Sequence, residues 1–132
     1  MNRDTALTAL ALAGAAFFIV FGLWSFFAPQ SFFDNVADFP PYNRHLFHDV
    51  GAFQIGIGAA LLAGVIRRGD GLFAALAGAG IGSAFHFVSH LQDHNLGGSD
   101  AATAFLGVLA LLLLIGAVIR WTGGERRFGV FR

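Results

Sequence analysis

The sequence predicts an all-α protein, a four-helix transmembrane bundle with both termini on the cytoplasmic side. Composition is the first reason: 56% of the 132 residues are hydrophobic and only 12% are charged, and the mean hydropathy is +0.68. A soluble domain carries about 25% charged residues. The second reason is the spacing of four long apolar runs, residues 6–28, 50–66, 71–91 and 101–119. Each is close to the ~20 residues that cross a bilayer core, and a helix satisfies its own backbone there. The third is the placement of arginine. Seven of the eight lie in the terminal segments or the second loop, against Asp4, Asp70 and Glu125. The first and third loops hold only Arg44 against Asp34, Asp38, Asp49, Asp93 and Asp100. Basic residues stay inside, so residues 1–132 read as one integral membrane domain of the bacterial cytoplasmic (inner) membrane. Its spans are expected at about 6–28, 46–66, 71–94 and 101–120.

The first span follows Arg3 and Asp4 and ends in Trp24, Phe26 and Phe27 before Pro29. Aromatic rings gather at the membrane interface. Its 23 residues exceed the ~7–15 of a signal-peptide core, and residues 24–29 lack a small-x-small cleavage pattern, so it reads as a retained helix. Phe32, Phe33 and Phe39 place the following loop against the bundle or in the interface. Pro40 and Pro41 close that loop, and Asn43 is the expected N-cap of the second span. The second span is rich in small residues, Gly51, Gly56, Gly58, Ala59, Ala60 and Gly64, which let helices approach closely in lipid. Gln54 is its one polar interior residue. About 180° from His45 on a helical wheel, it is expected to face another neighbour and not to be a ligand.

Residues 67–71, Arg-Arg-Gly-Asp-Gly, form a tight turn, so the second and third spans are expected to be antiparallel neighbours. The third span carries Gly78, Gly80 and Gly82, then Ser83, His86, His90 and Asp93 with His94 on one stripe, and Asn95, Gly97 and Gly98 end it. Ser99 or Asp100 caps the fourth span, which has no polar side chain after Thr103 and reads as scaffold or lipid-facing wall. The basic, aromatic tail 120–132 suits an anionic membrane surface.

All five histidines fall at one end. His45 and His48, with Asp49, open the second span; His86, His90 and His94, with Asp93, close the third. Residues four apart on a helix share a face, so His86 and His90 can grip one ion. His45, His48 or Asp49 would complete its shell from the neighbouring helix, and Asp93 or a loop carboxylate would orient a ligand. The metal set expected is therefore His45, His48, Asp49, His86, His90, Asp93 and His94. Imidazole and carboxylate suit a divalent transition metal: Zn, Fe, Mn or Cu(II). Cysteine is absent and Met1 is the only methionine, which argues against Cu(I) and excludes disulfides and thiolate sites. An alternative is haem b held between His86 and His45 or His48. Another is proton-linked chemistry. A third has the rings and carboxylates only bonding each other to fix helix packing, in an accessory subunit of a larger membrane complex or a homo-oligomer. No familiar hydrolase, zinc-protease or phosphate-binding motif is present, and nothing supports nucleic-acid binding.

The pieces GLWSFFAPQSFFD, PYNRHLFHDVGAFQIGIGA and FHFVSH together resemble a group of small four-helix bacterial integral membrane proteins of unassigned activity. These have a PYN-x-H…D-V-G-A element opening the second helix and an H-x-x-x-H ending the third. The resemblance spans roughly the first 98 residues. It implies the same fold and shared positions at Asn43, His45, Asp49, His86 and His90. Arg44 and His48 depart from the usual residues of that group. In size the chain is also similar to DoxX-like proteins.

Overall fold

The computed structural model describes residues 2–128, with side-chain surroundings through residue 123. These residues form five helices: α1 (Arg3–Phe27), α2 (Pro29–Asn35), α3 (Arg44–Arg67), α4 (Gly69–Gln92) and α5 (Asp100–Phe128), with no strand among them. Four helices are long and apolar enough to cross a membrane: α1, α3, α4 and, over Asp100–Gly123, α5. The expected all-helical bundle of a multi-pass membrane protein is what the chain forms. Phe131 and Arg132 of the expected basic tail lie outside the described residues, as do the side chains of Arg126 and Arg127.

The caps follow local chemistry. Asn43 Oδ1 accepts from the Leu46 amide at 3.2 Å, and Ser99 Oγ accepts from the Ala102 amide at 3.2 Å, each satisfying an otherwise orphaned donor of a first helical turn. Asn2 does the same for α1 through Thr5. The turn between α3 and α4 is made by Arg68 and Gly69, with φ of 56° and 49°. A side chain at positive φ costs roughly 1 kcal/mol relative to glycine. Arg68→Gly is therefore expected to raise the melting temperature by a few degrees, read by thermal unfolding in detergent.

Two features depart from the expected spans. The loop after the first span contains α2, whose Phe32 is buried against Phe21, Trp24 and Phe47. The third span stops at Gln92 rather than running to residue 94, because Asp93 caps the helix, its amide donating to the Ser89 carbonyl at 2.9 Å. Asp93 and His94 thus leave the stripe shared by Ser83, His86 and His90. The chain then crosses to the first loop, where the Gly98 amide donates to the Asp38 carbonyl at 3.2 Å. Gly98 has φ of 78°, and a Cβ there would lie 2.7 Å from the Phe39 ring. Gly98→Ala is expected to cost about 1–3 kcal/mol, seen as a lower melting temperature.

α1 packs chiefly on α3 and α4 chiefly on α5, with a thinner α3–α4 seam and a still smaller α1–α5 contact. The α1–α3 pairing is a backbone-to-backbone approach at Gly22, Gly51 and Gly58. It is tied by Ser25 Oγ, buried and donating to the Phe47 carbonyl at 2.7 Å. The apolar core, Leu7, Ala11, Ala15, Phe18, Leu61, Leu72, Leu76, Ala79, Leu109, Leu113 and Ala117, fills the half of the bundle nearest the α3–α4 turn. At that end Arg120 of α5 donates through Nε to the Gly69 carbonyl at 3.1 Å and pairs with Asp4 of α1 at 3.6 Å. Asp4 is largely exposed, so the carbonyl bond carries the effect. Arg120→Met is expected to cost about 1 kcal/mol.

Candidate functional site

At the other end of the bundle the start of α3 and the end of α4 come to the same level, and with them the histidines. Helix rotation then decides which of them meet. Along α3, Gly58 packs on Ile19 and Ala15 of α1, and Gly64 packs on Gly71, Leu72 and Ala75 of α4. At 100° per residue, His45 lies about 140° from Gly58 and about 100° from Gly64, and Asp49 about 180° from Gly58 and about 60° from Gly64, so both point away from α1 and Asp49 only partly toward α4. They form an exposed pair, Nε2 to Oδ2 3.5 Å, of the kind that contributes little to stability. His48 turns toward α1, its ring centroid 5.2 Å from that of Phe26.

On α4 the corresponding landmarks are Gly80, against Leu114 of α5, and Ala75, against Gly64 of α3. Ser83, His86 and His90 lie between those two directions, on the inward side of the helix. The His86 and His90 rings are neighbours, with centroids 5.0 Å apart and planes at 64°. His90 is also held edge-on by Phe39 of the first loop at 5.3 Å, and its Nδ1 lies 3.4 Å from Thr103 Oγ1 of α5. The Thr103 hydroxyl donates to the Ser99 carbonyl at 3.2 Å. With the hydroxyl so turned, Thr103 Oγ1 accepts from His90 Nδ1–H and the Nε2 lone pair is free for a ligand; turned to Nδ1, it donates to the other tautomer, so the direction of this contact follows the protonation of the ring.

The structure thus brings His45 to Asp49 and His86 to His90, and sets His48 on Phe26. It does not bring the seven expected residues to one point, and among the described residues no three of His, Asp or Glu are grouped to hold a metal ion. Thr103 and Phe39, both against His90, were not expected in the site. Thr103 was visible as the last polar residue of its span. Oε1 of Gln54 is buried with no hydrogen-bond partner. No family model matches the chain, and no curated protein or solved structure matches it significantly.

Proposed function

We propose that this multi-pass membrane protein binds a divalent transition-metal ion at its histidine end, with His86 and His90 as the two ligands from one helix. The observation that carries the reading is the pairing of their rings across one turn of α4, with His90 oriented through Thr103. An imidazole fixed through its far nitrogen is how proteins present histidine to a metal. Asp93 and His94, just past the helix end, are the nearest chain positions from which further donors could come, and water would fill what remains. His45, His48 and Asp49 are secondary candidates, because His45 and Asp49 form an exposed pair with each other and His48 lies against Phe26 of α1. Haem ligation would need a ring from α3 opposite His86, whereas His48 lies against Phe26 and His45 pairs with Asp49. The proposal includes the sidedness read from arginine, with the histidine end outside and both termini cytoplasmic in a bacterial inner membrane. Kinship with the small four-helix proteins that share the PYN-x-H element belongs to the same reading. Elemental analysis and an absorption spectrum of the purified protein test it: near-stoichiometric Zn, Fe, Mn or Cu is expected. A Soret band would replace it with haem, and neither signal would sink it.

A second reading, an accessory subunit or a homo-oligomer, is favoured by Gly56, Gly78 and Gly82. All three are exposed and meet nothing within 4 Å on the side where a Cβ would project. Small residues on a lipid-facing side permit close helix approach. Under the metal reading alone, Gly78→Leu and Gly82→Leu are expected to leave size-exclusion behaviour and co-purifying subunits unchanged. Loss of a larger species in these variants would establish the second reading.

A further inference from the structure

We infer that the corner between α1 and α2 holds the headgroup of one phospholipid, with Arg44 on its phosphate and Asp34 on a primary amine. The inference concerns other residues than the metal proposal and does not rest on it. The corner lies at the edge of a span. α1 ends at Phe27, where its membrane-spanning stretch also ends, and α2 starts at Pro29 directly after it. Ala28 to Ser31 therefore stand where a span gives way to the headgroup region. Trp24 marks the same level. Its indole N–H donates to Ser31 Oγ at 3.2 Å, as an aromatic ring with one polar edge does at the membrane interface.

An open cavity of about 560 Å³ occupies this corner, lined by Ala28, Pro29, Gln30, Ser31, Tyr42 and Arg44. Small-molecule sites run to ~300–1,000 Å³, so the volume admits a headgroup. The Tyr42 wall is held in place, its ring stacked on Phe47 with centroids 5.7 Å apart and edge-on to Phe33 at 5.4 Å. Three lining side chains bring donors. Arg44 has its guanidinium and Tyr42 its hydroxyl. The Ser31 oxygen already accepts from Trp24, which leaves its hydrogen to donate.

Arg44 is the residue that the fold itself does not explain. It opens α3, where the helix dipole disfavours a cation. Asp34, Asp38, Asp49, Asp93 and Asp100 share its end of the bundle. Yet the ion pairs among the described residues are His45 with Asp49 and Arg120 with Asp4, and neither includes Arg44. Water alone satisfies many exposed arginines. What favours a phosphate here is that the guanidinium borders a cavity at headgroup level with two hydroxyl-bearing side chains beside it. Its planar fork matches two phosphate oxygens at once.

A second charge chooses between headgroups. Gln30 Nε2 donates to Asp34 Oδ1 at 2.9 Å, which puts a carboxylate directly behind a lining residue of the same cavity. A headgroup of net negative charge would meet that carboxylate as a like charge, which is unfavourable. A zwitterionic headgroup instead turns its phosphate to Arg44 and its ammonium to Asp34. A primary amine also supplies N–H donors, and Asp34 Oδ2 has no partner among the described residues.

Lipid retention by the whole protein is the test. Delipidated protein in mild detergent, with chelator present, is titrated with phosphatidylethanolamine, with phosphatidylglycerol and with inorganic phosphate. Native mass spectrometry counts what stays bound. One phosphatidylethanolamine per chain is expected, held about tenfold more tightly than phosphatidylglycerol. Arg44→Gln is expected to weaken that binding about tenfold, and Asp34→Asn to erase the preference over phosphatidylglycerol while binding persists. Arg67→Gln alters an exposed arginine at the opposite end of the bundle and should behave as the parent. Size-exclusion profiles and melting temperatures show that each variant is folded. Phosphatidylglycerol bound by the parent as tightly as phosphatidylethanolamine overturns the inference. So does undiminished binding in Arg44→Gln, an equal loss in Arg67→Gln, or saturation of the site by inorganic phosphate in place of lipid. Because chelator is present throughout, a protein without metal still gives the expected lipid count, so the two proposals fail separately.

Discussion

Gly51→Leu is expected to leave no folded protein to purify, and Gly51→Ala to cost about 2–3 kcal/mol, at the upper end of what overpacking usually costs. A Cβ on Gly51 would sit 2.7 Å from the Gly22 carbonyl oxygen and 2.8 Å from the Phe26 amide nitrogen. Those are backbone atoms of α1, with no rotamer through which to yield, so the helices themselves must separate. Gly22 faces the same limit from the other side, 2.9 Å from the Gly51 carbonyl oxygen and the Ile55 amide nitrogen. In lipid no hydrophobic force between helices offsets the lost contact, and Ser25 would lose its bond to Phe47 as α1 moved. Gly56→Ala on the same helix is the control. It meets nothing, and alanine's better helix propensity should make it neutral or stabilising by about 1 kcal/mol. Size-exclusion profiles and melting temperatures of the three variants check the contrast; a Gly51→Leu protein that unfolds like the parent would refute this account of the α1–α3 interface.

That interface also explains what could be read in the sequence and what could not. The four spans, the Asn43 and Ser99 caps and the turn at Arg68 and Gly69 were legible because each depends on hydropathy or on residues within one turn. α2 was not, since the seven residues from Pro29 to Asn35 gain their helix from Phe32 packing under Trp24 and Phe47, a contact that no local pattern encodes. The end of α4 was misplaced because Gly97 and Gly98 look like a helix exit, whereas they serve the crossing to Asp38 and Phe39. For the candidate site, the sequence put the start of α3 and the end of α4 at one end of the bundle and His86 with His90 on one face of α4, where their rings are neighbours. It could not set the rotation of α3, which is fixed by Gly51 and Gly58 meeting α1. The wheel angle placing Gln54 opposite His45 was sound. With His45 on the exposed side, the same angle puts Gln54 on the inward side, where its Oε1 is buried.

The metal reading predicts a graded response rather than a single loss. Removing both His86 and His90 by alanine is expected to abolish stoichiometric metal, and each single change to weaken it severely. Thr103→Val keeps the shape at that position but removes the oxygen facing His90 Nδ1, 3.4 Å away. Losing such an orienting partner typically costs ~10–100-fold in affinity, so Thr103→Val should bind metal measurably but weakly. His45→Ala and Asp49→Ala alter a pair that is largely exposed; they should retain the parent's affinity. Titration of metal-free protein with Zn and with Cu(II), followed calorimetrically, reads all six variants on one scale. Melting temperatures taken without metal separate lost ligation from lost folding. The order expected is the His86/His90 double variant weakest, then the singles, then Thr103→Val, then His45→Ala with Asp49→Ala at the parent value. Equal loss in His45→Ala would mean that α3 rotates to bring its outward pair into a shared site. Undiminished metal in the double variant would mean that His86 and His90 do not bind it, leaving their paired rings a packing feature of α4.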